Sequence, residues 1–377
     1  MDYVEIGSLI DAHRAQILTK VAQAHLEDPY LVERFGADIE KKIAIDTRQN
    51  LAALGKAIRY HSPMILDDYL VWRRQTMVNM NGSTGLVRKN FTLIWSVASD
   101  YLAPDALTVI HNYIQSALHA LQYARTSTKY LTAAQNQLTE ALVATTYDNH
   151  WIWQNAYHAH GRVRALREIW WYLDYLNDAL GMNNPEVLGR QLRWMRERAV
   201  ERGLATIHIQ QLLWFLAEIA ERHLPPEPVG DMQRMLRNCL NFLAYDNSSC
   251  VVLIASQDRI VADAAQQFVV QGLAPRLEHA AIEVGSYLAY LYDCLAKTSA
   301  ASLIRYTNWL RPRLAQLGRS DATLAQSYAM IEQALQAHLP EPIAQEASAL
   351  LQAALQQLSN HRNGAAYSES ELVVTQF

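Results

Sequence analysis

Apolar residues recur along this chain at the three-and-four spacing of amphipathic helices, and one such pattern is written three times. Trp72, Trp194 and Trp309 mark equivalent points, and superimposing them aligns 51–121, 173–243 and 288–358 without a gap. Leu51, Leu173 and Leu288 fall 21 residues before the tryptophan, and Leu54, Leu176 and Leu291 fall 18 before. Ile114, Leu236 and Leu351 fall 42 after it, followed by Leu118, Leu240 and Leu355, then Leu121, Leu243 and Leu358. A shared apolar face predicts a shared core, so the chain is expected to hold tandem copies of one helical unit. The repeated leucines and tryptophans are both read as packing residues of that core.

The punctuation repeats as closely as the apolar face. Ser62-Pro63, Asn184-Pro185 and Ser299-Ala300 each fit an N-cap followed by a first helical residue. Nine residues after the tryptophan stand Asn81, Gly203 and Gly318, types that accept the left-handed conformation at a helix end. Ser83-Thr84, Thr206 and Ser320-Asp321 then offer oxygens to start another helix, which prolines beyond Leu102, Leu224 and Leu339 stop. A further helix precedes each unit, at 11–23, 132–144 and 262–274. Phe268 lies closer to its tryptophan than Ile17 and Leu138 do to theirs, so the third copy lacks about a helix and a loop.

Only CVVLIAS, at 250–256, looks locally like a strand, and a lone strand has no partner; it is read as a buried linker or a helix start. The expected fold is therefore all-α: three tandem helical bundles of five to six helices, over 1–122, 123–247 and a shortened 248–361. A flexible tail is expected over 362–377. The run LHALQYARTSTKYLTAAQNQLTEALV has neither proline nor glycine, which predicts one long helix shared by the first two bundles.

Composition narrows the class. In 377 residues, half are hydrophobic and 19% charged, with 33 basic against 37 acidic side chains, which argues against disorder and against a nucleic-acid partner. Three scattered cysteines, Cys239, Cys250 and Cys294, suit neither a disulfide framework nor a zinc site. An acidic N-terminus and the absence of any long apolar run predict no signal peptide and no membrane span, hence a cytoplasmic location.

The copies then test each candidate site. Arg74, Arg196 and Arg311 stand two residues after the tryptophan; such a guanidinium either clamps an anion or makes an ion pair or ring contact within the fold. His223 and His338 match each other but meet Tyr101 in the first copy, and suit helix C-termini rather than a metal. No metal-binding, phosphate-binding or nucleophile motif occurs, which disfavours an enzyme. The second copy differs most. It holds Trp151, Trp153, Trp170, Trp171, Trp194 and Trp214, six of the nine tryptophans. Adjacent Trp170 and Trp171 point about 100° apart on a helix, so both cannot face one core. An aromatic cavity edged by His158, His160, Arg162, Arg164 and Arg167 would suit a flat anionic ligand such as a tetrapyrrole, whether haem, bilin or cobalamin; a large core or domain contact is the other reading. Trp170, Trp171, His158, His160, Arg164, Arg167 and Arg196 are the candidate ligand-binding residues.

The segments LAALGKAIRYHSPMILDDYLVWRRQ, YLDYLNDALGMNNPEVLGRQLRWMRERAVERG and YLAYLYDCLAKTSAASLIRYTNWLRPRLAQLG share an order of helix, polar turn, helix with W-x-R, and helix stop. That order resembles the non-haem globin-like sensor domains at the N-termini of stressosome proteins of the RsbR kind, and helical domains that precede effector modules in some bacterial regulators. The resemblance implies globin-like bundles, a homo-oligomer through terminal helices, and sensing of a ligand or protein partner. This chain has three such copies and no recognisable output domain. The expected function is a non-enzymatic sensor or scaffold, with tetrapyrrole binding as the alternative.

Overall fold

Helix ends, more than helix interiors, carry the repeat. The computed structural model describes residues 2–36, 38–157 and 161–360, except for the side chains of Trp151, Asn155 and 357–360. The expected tail, 362–377, lies outside the described residues.

The first copy contains α1 (Tyr3–Ala12), α2 (Arg14–Leu26), α3 (Pro29–Phe35), α4 (Ile39–Arg59), α5 (Pro63–Asn79), α6 (Thr84–Ala98) and α7 (Pro104–Ala120). The second runs through α8 (Thr126–Val143), a π-helical turn, α9 (Trp151–Tyr157), α10 (Gly161–Met182), α11 (Pro185–Glu201), α12 (Thr206–His223) and α13 (Pro226–Leu240). The third has α14 (Ser248–Val270), α15 (Leu277–Lys297), α16 (Ala301–Gln316), α17 (Asp321–His338) and α18 (Glu341–Asn360). The described residues are thus all-α, without a strand. The run at 250–256 opens α14, with Asn247 accepting the Ser249 and Cys250 N–H groups as N-cap. α14 connects directly to α15, with no short helix between them such as α3 or α9.

By contact the chain forms two units, Met1–Leu192 with Leu213–Phe242, and Arg193–Leu212 with Leu243–Phe377. In the first unit α4 packs on α1, α2, α5 and α7, and α8 packs on α10 and α13. In the second, α14 packs on α15 and α17, and α18 on α15, α16 and α17. Leu51, Leu54, Ile114 and their equivalents Leu173, Leu176, Leu236, Leu288, Leu291 and Leu351 are all buried. Each such leucine contributes about 1.5–3 kcal/mol of transfer free energy.

The tryptophans do not share that core. Trp72 is 54% exposed, and Trp194 and Trp309 are half-buried. The inward stripe of α5 is Leu66, Leu70, Arg73 and Met77, one residue every three or four, and Trp72 projects about 200° away from Leu70. Leu188, Leu192, Met195 and Ala199 repeat the stripe in α11.

Two turns recur with the same backbone. His61, Asn183 and Thr298, at equivalent positions, take φ of 46°, 51° and 49°. The following N–H groups bond five residues back, Ser62 to Ala57, Asn184 to Ala179 and Ser299 to Cys294, each at 2.9 Å. Asn81, Gly203 and Gly318 are likewise left-handed, at 63°, 84° and 73°.

A third recurrence links one copy to the next. Thr84, the first residue of α6, donates its N–H (2.7 Å) and its hydroxyl to Asp178 of α10, and the Tyr123 hydroxyl donates to the same carboxylate at 2.9 Å. In the second unit Thr206, the first residue of α12, donates its N–H (2.8 Å) and hydroxyl (2.6 Å) to Asp293 of α15, joined by the Tyr245 hydroxyl at 3.0 Å. Around each carboxylate the same carbonyls are held: Asn81 by Tyr175, Val78 by Arg190 and Leu180 by Arg125; then Gly203 by Tyr290, Val200 by Arg305 and Leu295 by Asn247.

The joint explains why α7 and α8 are separate helices rather than the single one expected. Arg125 takes ψ of 139°, and the chain leaves the helical path after Ala120 so that Tyr123 and Arg125 can reach α10. Tyr245→Phe removes only the hydroxyl that donates to the buried Asp293. It is expected to lower stability by about 1.5–3 kcal/mol in urea denaturation, whereas exposed Tyr60→Phe changes it by less than about 0.5 kcal/mol.

Candidate functional site

A cleft of about 770 Å³ opens in the first unit between the α2–α3 turn, α6, α8 and α10. The helical period of α10 builds one wall: Leu166, Arg167, Trp170 and Trp171 lie within two turns and all line it. Trp171 is 2% exposed, stacks on Tyr30 at 5.7 Å and meets Trp170 edge-on at 5.1 Å. Trp170 is half-buried and forms the accessible aromatic surface. Both rings thus border the cleft, Trp171 from the buried side and Trp170 from the accessible one.

The floor is polar. Asp28 begins α3, accepting the Tyr30 N–H at 3.2 Å, and its second oxygen takes Lys89 Nζ at 2.8 Å and Trp171 Nε1 at 3.3 Å. Lys89 also lies over the Trp171 ring at 5.6 Å. Arg88 pairs with Asp174 at 3.4 Å, and Arg167 donates to the Glu27 carbonyl at 3.0 Å. The lining carries Arg88, Lys89 and Arg167 against Glu27, Asp28 and Glu140, so its formal charges cancel.

The predicted residues separate accordingly. Trp170, Trp171 and Arg167 come together at the cleft. Arg164 does not line it; it pairs with Glu168 at 3.0 Å and with Glu33. Arg162 is held by Glu140 and Asp148. Arg196 belongs to the second unit, where it donates to the Ala244 carbonyl at 3.5 Å; in the first, Arg74 reaches Leu121 and Gln122 in the same manner and lies 4.4 Å over Tyr123. His158 and His160 lie outside the described residues. Asp28, Arg88 and Lys89 were not singled out in the sequence. Asp28-Pro29 marks a helix start, but nothing in the chain ties it to a lysine 61 residues on or a tryptophan 143 on.

Arg88 connects the cleft to the joint. Its partner Asp174 is fully buried, accepts the Gly85 N–H at 2.6 Å, and stands one turn before Asp178 on α10. Burial, and then the neighbouring Asp174, push the Asp178 carboxyl up to about 7. At the other joint, burial raises Asp293, and Ala289 occupies the register of Asp174. No group of three or more histidine, cysteine or acidic residues among the described residues is arranged to hold a metal ion. Neither a protein-family model, nor a curated protein, nor a solved structure matches the chain.

Because folding raises the affinity of Asp178 for its proton, its contribution to stability is full below the ordinary aspartate range near 4 and is lost as pH rises through about 7. Asp174→Asn keeps an acceptor for Gly85 while removing the second carboxylate. The Asp178 midpoint, followed by carboxyl carbon NMR, is expected to fall, and the decline of the urea midpoint between about pH 4 and 7 to become shallower. An unchanged Asp178 midpoint would contradict this account of the joint.

Proposed function

We propose that the chain is a non-enzymatic sensor built from three tandem globin-like helical bundles, in which a small ligand bound against Trp170 acts on the joint between the first two. The observation that carries this reading is the double role of Arg88, which lines the cleft and pairs with Asp174 beside the capping carboxylate. A ligand acid that draws Arg88 away leaves Asp174 and Asp178, one turn apart and both buried, without that cation. Its leverage is the difference in its affinity for the two arrangements of the joint. The likeness to sensor domains of the RsbR kind supports the same reading, with a protein partner or a second copy meeting the terminal helices.

The charge balance of the lining suits a ring that carries both accepting and donating groups. The tetrapyrrole alternative has less support, since no histidine, cysteine, methionine or tyrosine is among the lining residues to ligate iron or cobalt. No helix among the described residues is long and apolar enough to cross a membrane.

Native mass spectrometry of protein purified from the cell that makes it is expected to show a bound small molecule, which Trp170→Ala loses. Visible absorption of the same sample identifies a tetrapyrrole if one is present. A bare polypeptide mass, together with pull-downs that recover no partner, refutes the sensor reading.

A further inference from the structure

A second cavity in the first unit, about 210 Å³, shares no lining residue with the cleft. It lies among α2, α4, α5 and α6, and its walls are mainly apolar, with Ile43, Met77 and Val87 among them. At one side runs a chain of buried polar groups. The Tyr69 hydroxyl donates to Asn50 Oδ1 (2.7 Å), Asn50 Nδ2 to Asn90 Oδ1 (2.8 Å), and Asn90 Nδ2 to Thr47 Oγ1 (2.8 Å) and His25 Nε2 (3.3 Å). The Asn90 amide nitrogen can only donate, which makes His25 Nε2 an acceptor and places the ring proton on Nδ1. His25 lines the cavity at 2% exposure, and its Nδ1 has no partner among the described residues. Burial, and then Lys89, hold the imidazole down to about 4, so it is neutral at neutral pH.

The other copies carry apolar or aromatic side chains at these positions. At the register of Asn50 they carry Tyr172 and Tyr287, both buried; at Thr47, Ile169 and Val284; at Arg73, Met195 and Leu310. Tyr287 packs edge-on against Tyr306 and Tyr328, at 5.6 and 5.1 Å. The first copy replaces ring and branched side chains with a short amide and a threonine, and there a cavity and an unbonded imidazole N–H remain. Native interiors hold few such voids, and buried donors without acceptors are rarer still.

We propose that this cavity binds a neutral, mostly apolar molecule carrying one hydrogen-bond acceptor for the His25 Nδ1–H. At 210 Å³ the space falls below the roughly 300–1,000 Å³ of drug-sized sites. A neutral ligand is indicated because the two inner charges on the wall, Arg73 and Asp46, already pair with each other, an anion would have to compete with Asp46 for the guanidinium, and the third charge, Lys42, is exposed to solvent. This site stands independently of the Trp170 cleft.

The test is titration of the full chain with acetophenone, ethylbenzene and phenylacetate, which share a ring but differ in acceptor and charge. Acetophenone is expected to bind about tenfold tighter than ethylbenzene, to shift the side-chain nitrogen resonance of His25, and to bind tighter than phenylacetate. Asn50→Tyr, the residue of the other two copies, is expected to abolish binding; should it fail to fold, Ile43→Phe narrows the cavity from another wall and does the same. Trp170→Ala leaves acetophenone binding unchanged, so the two sites fail separately. No acetophenone binding, equal affinity for ethylbenzene, preference for phenylacetate, an unmoved His25 signal, or undiminished binding by a folded cavity-filled variant overturns the proposal.

Discussion

A helix that begins inside a protein needs acceptors for its first N–H groups, and here a carboxylate from the next copy supplies one. Thr84 and Thr206 are almost fully buried, so water cannot satisfy the starts of α6 and α12. Ser83, the residue before α6, makes no side-chain cap bond. Asp178 and Asp293 meet that demand by accepting N–H groups at the helix starts, where the helix dipole is positive. Much else follows from the position of that single oxygen pair. Tyr123 and Tyr245 must come off the helical path to reach it, and Tyr175, Arg190, Tyr290 and Arg305 are placed to tie down the neighbouring carbonyls.

Against this constant joint, the differences between copies become informative. Asp174 adds a second buried carboxylate and a link through Arg88 to the cleft, where the third copy has Ala289. Asn50 lines a cavity at a register where the other copies carry buried tyrosines. Both departures weaken the local structure, one by placing like charges a turn apart, the other by leaving space and an unbonded donor. Departures of that kind from a repeated plan mark where ligand chemistry can enter.

The helices and the left-handed turns at Asn81, Gly203 and Gly318 were legible because they depend on local chemistry: apolar period, caps, glycine or asparagine at a helix end. The inward face of α5 was not. Its stripe includes Arg73, a charged residue that local pattern assigns to the surface, and its burial rests on Asp46 from another helix. Trp72, read as core, stands on a different face of that helix. The break after α7 was equally hidden, since no proline or glycine marks it and a contact with Asp178, more than fifty residues away, produces it. At the cleft, adjacency alone showed that Trp170 and Trp171 must face different ways. What sequence could not show is that Arg162 and Arg164 are already held by acids, because Glu33 and Glu140 come from distant helices.

The third copy shows that the joint answers a backbone requirement and is not a by-product of similar sequence. At the register of Thr84 and Thr206 it has Asp321, whose carboxylate receives both Nε and an Nη of Arg311 at 2.8 and 2.7 Å. An aspartate arriving there as Asp178 and Asp293 do would meet a negative charge at the helix start. α17 is completed from its own sequence instead, by a capping box in which Ser320 accepts from the Thr323 backbone and the Thr323 hydroxyl accepts from the Ser320 N–H. Helix starts are thus served by a neighbouring copy in α6 and α12 and locally in α17, through different N–H groups. The W-x-R arginine changes with them: Arg74 and Arg196 reach backbone carbonyls after a closing helix, and Arg311 turns to the aspartate that has replaced the threonine.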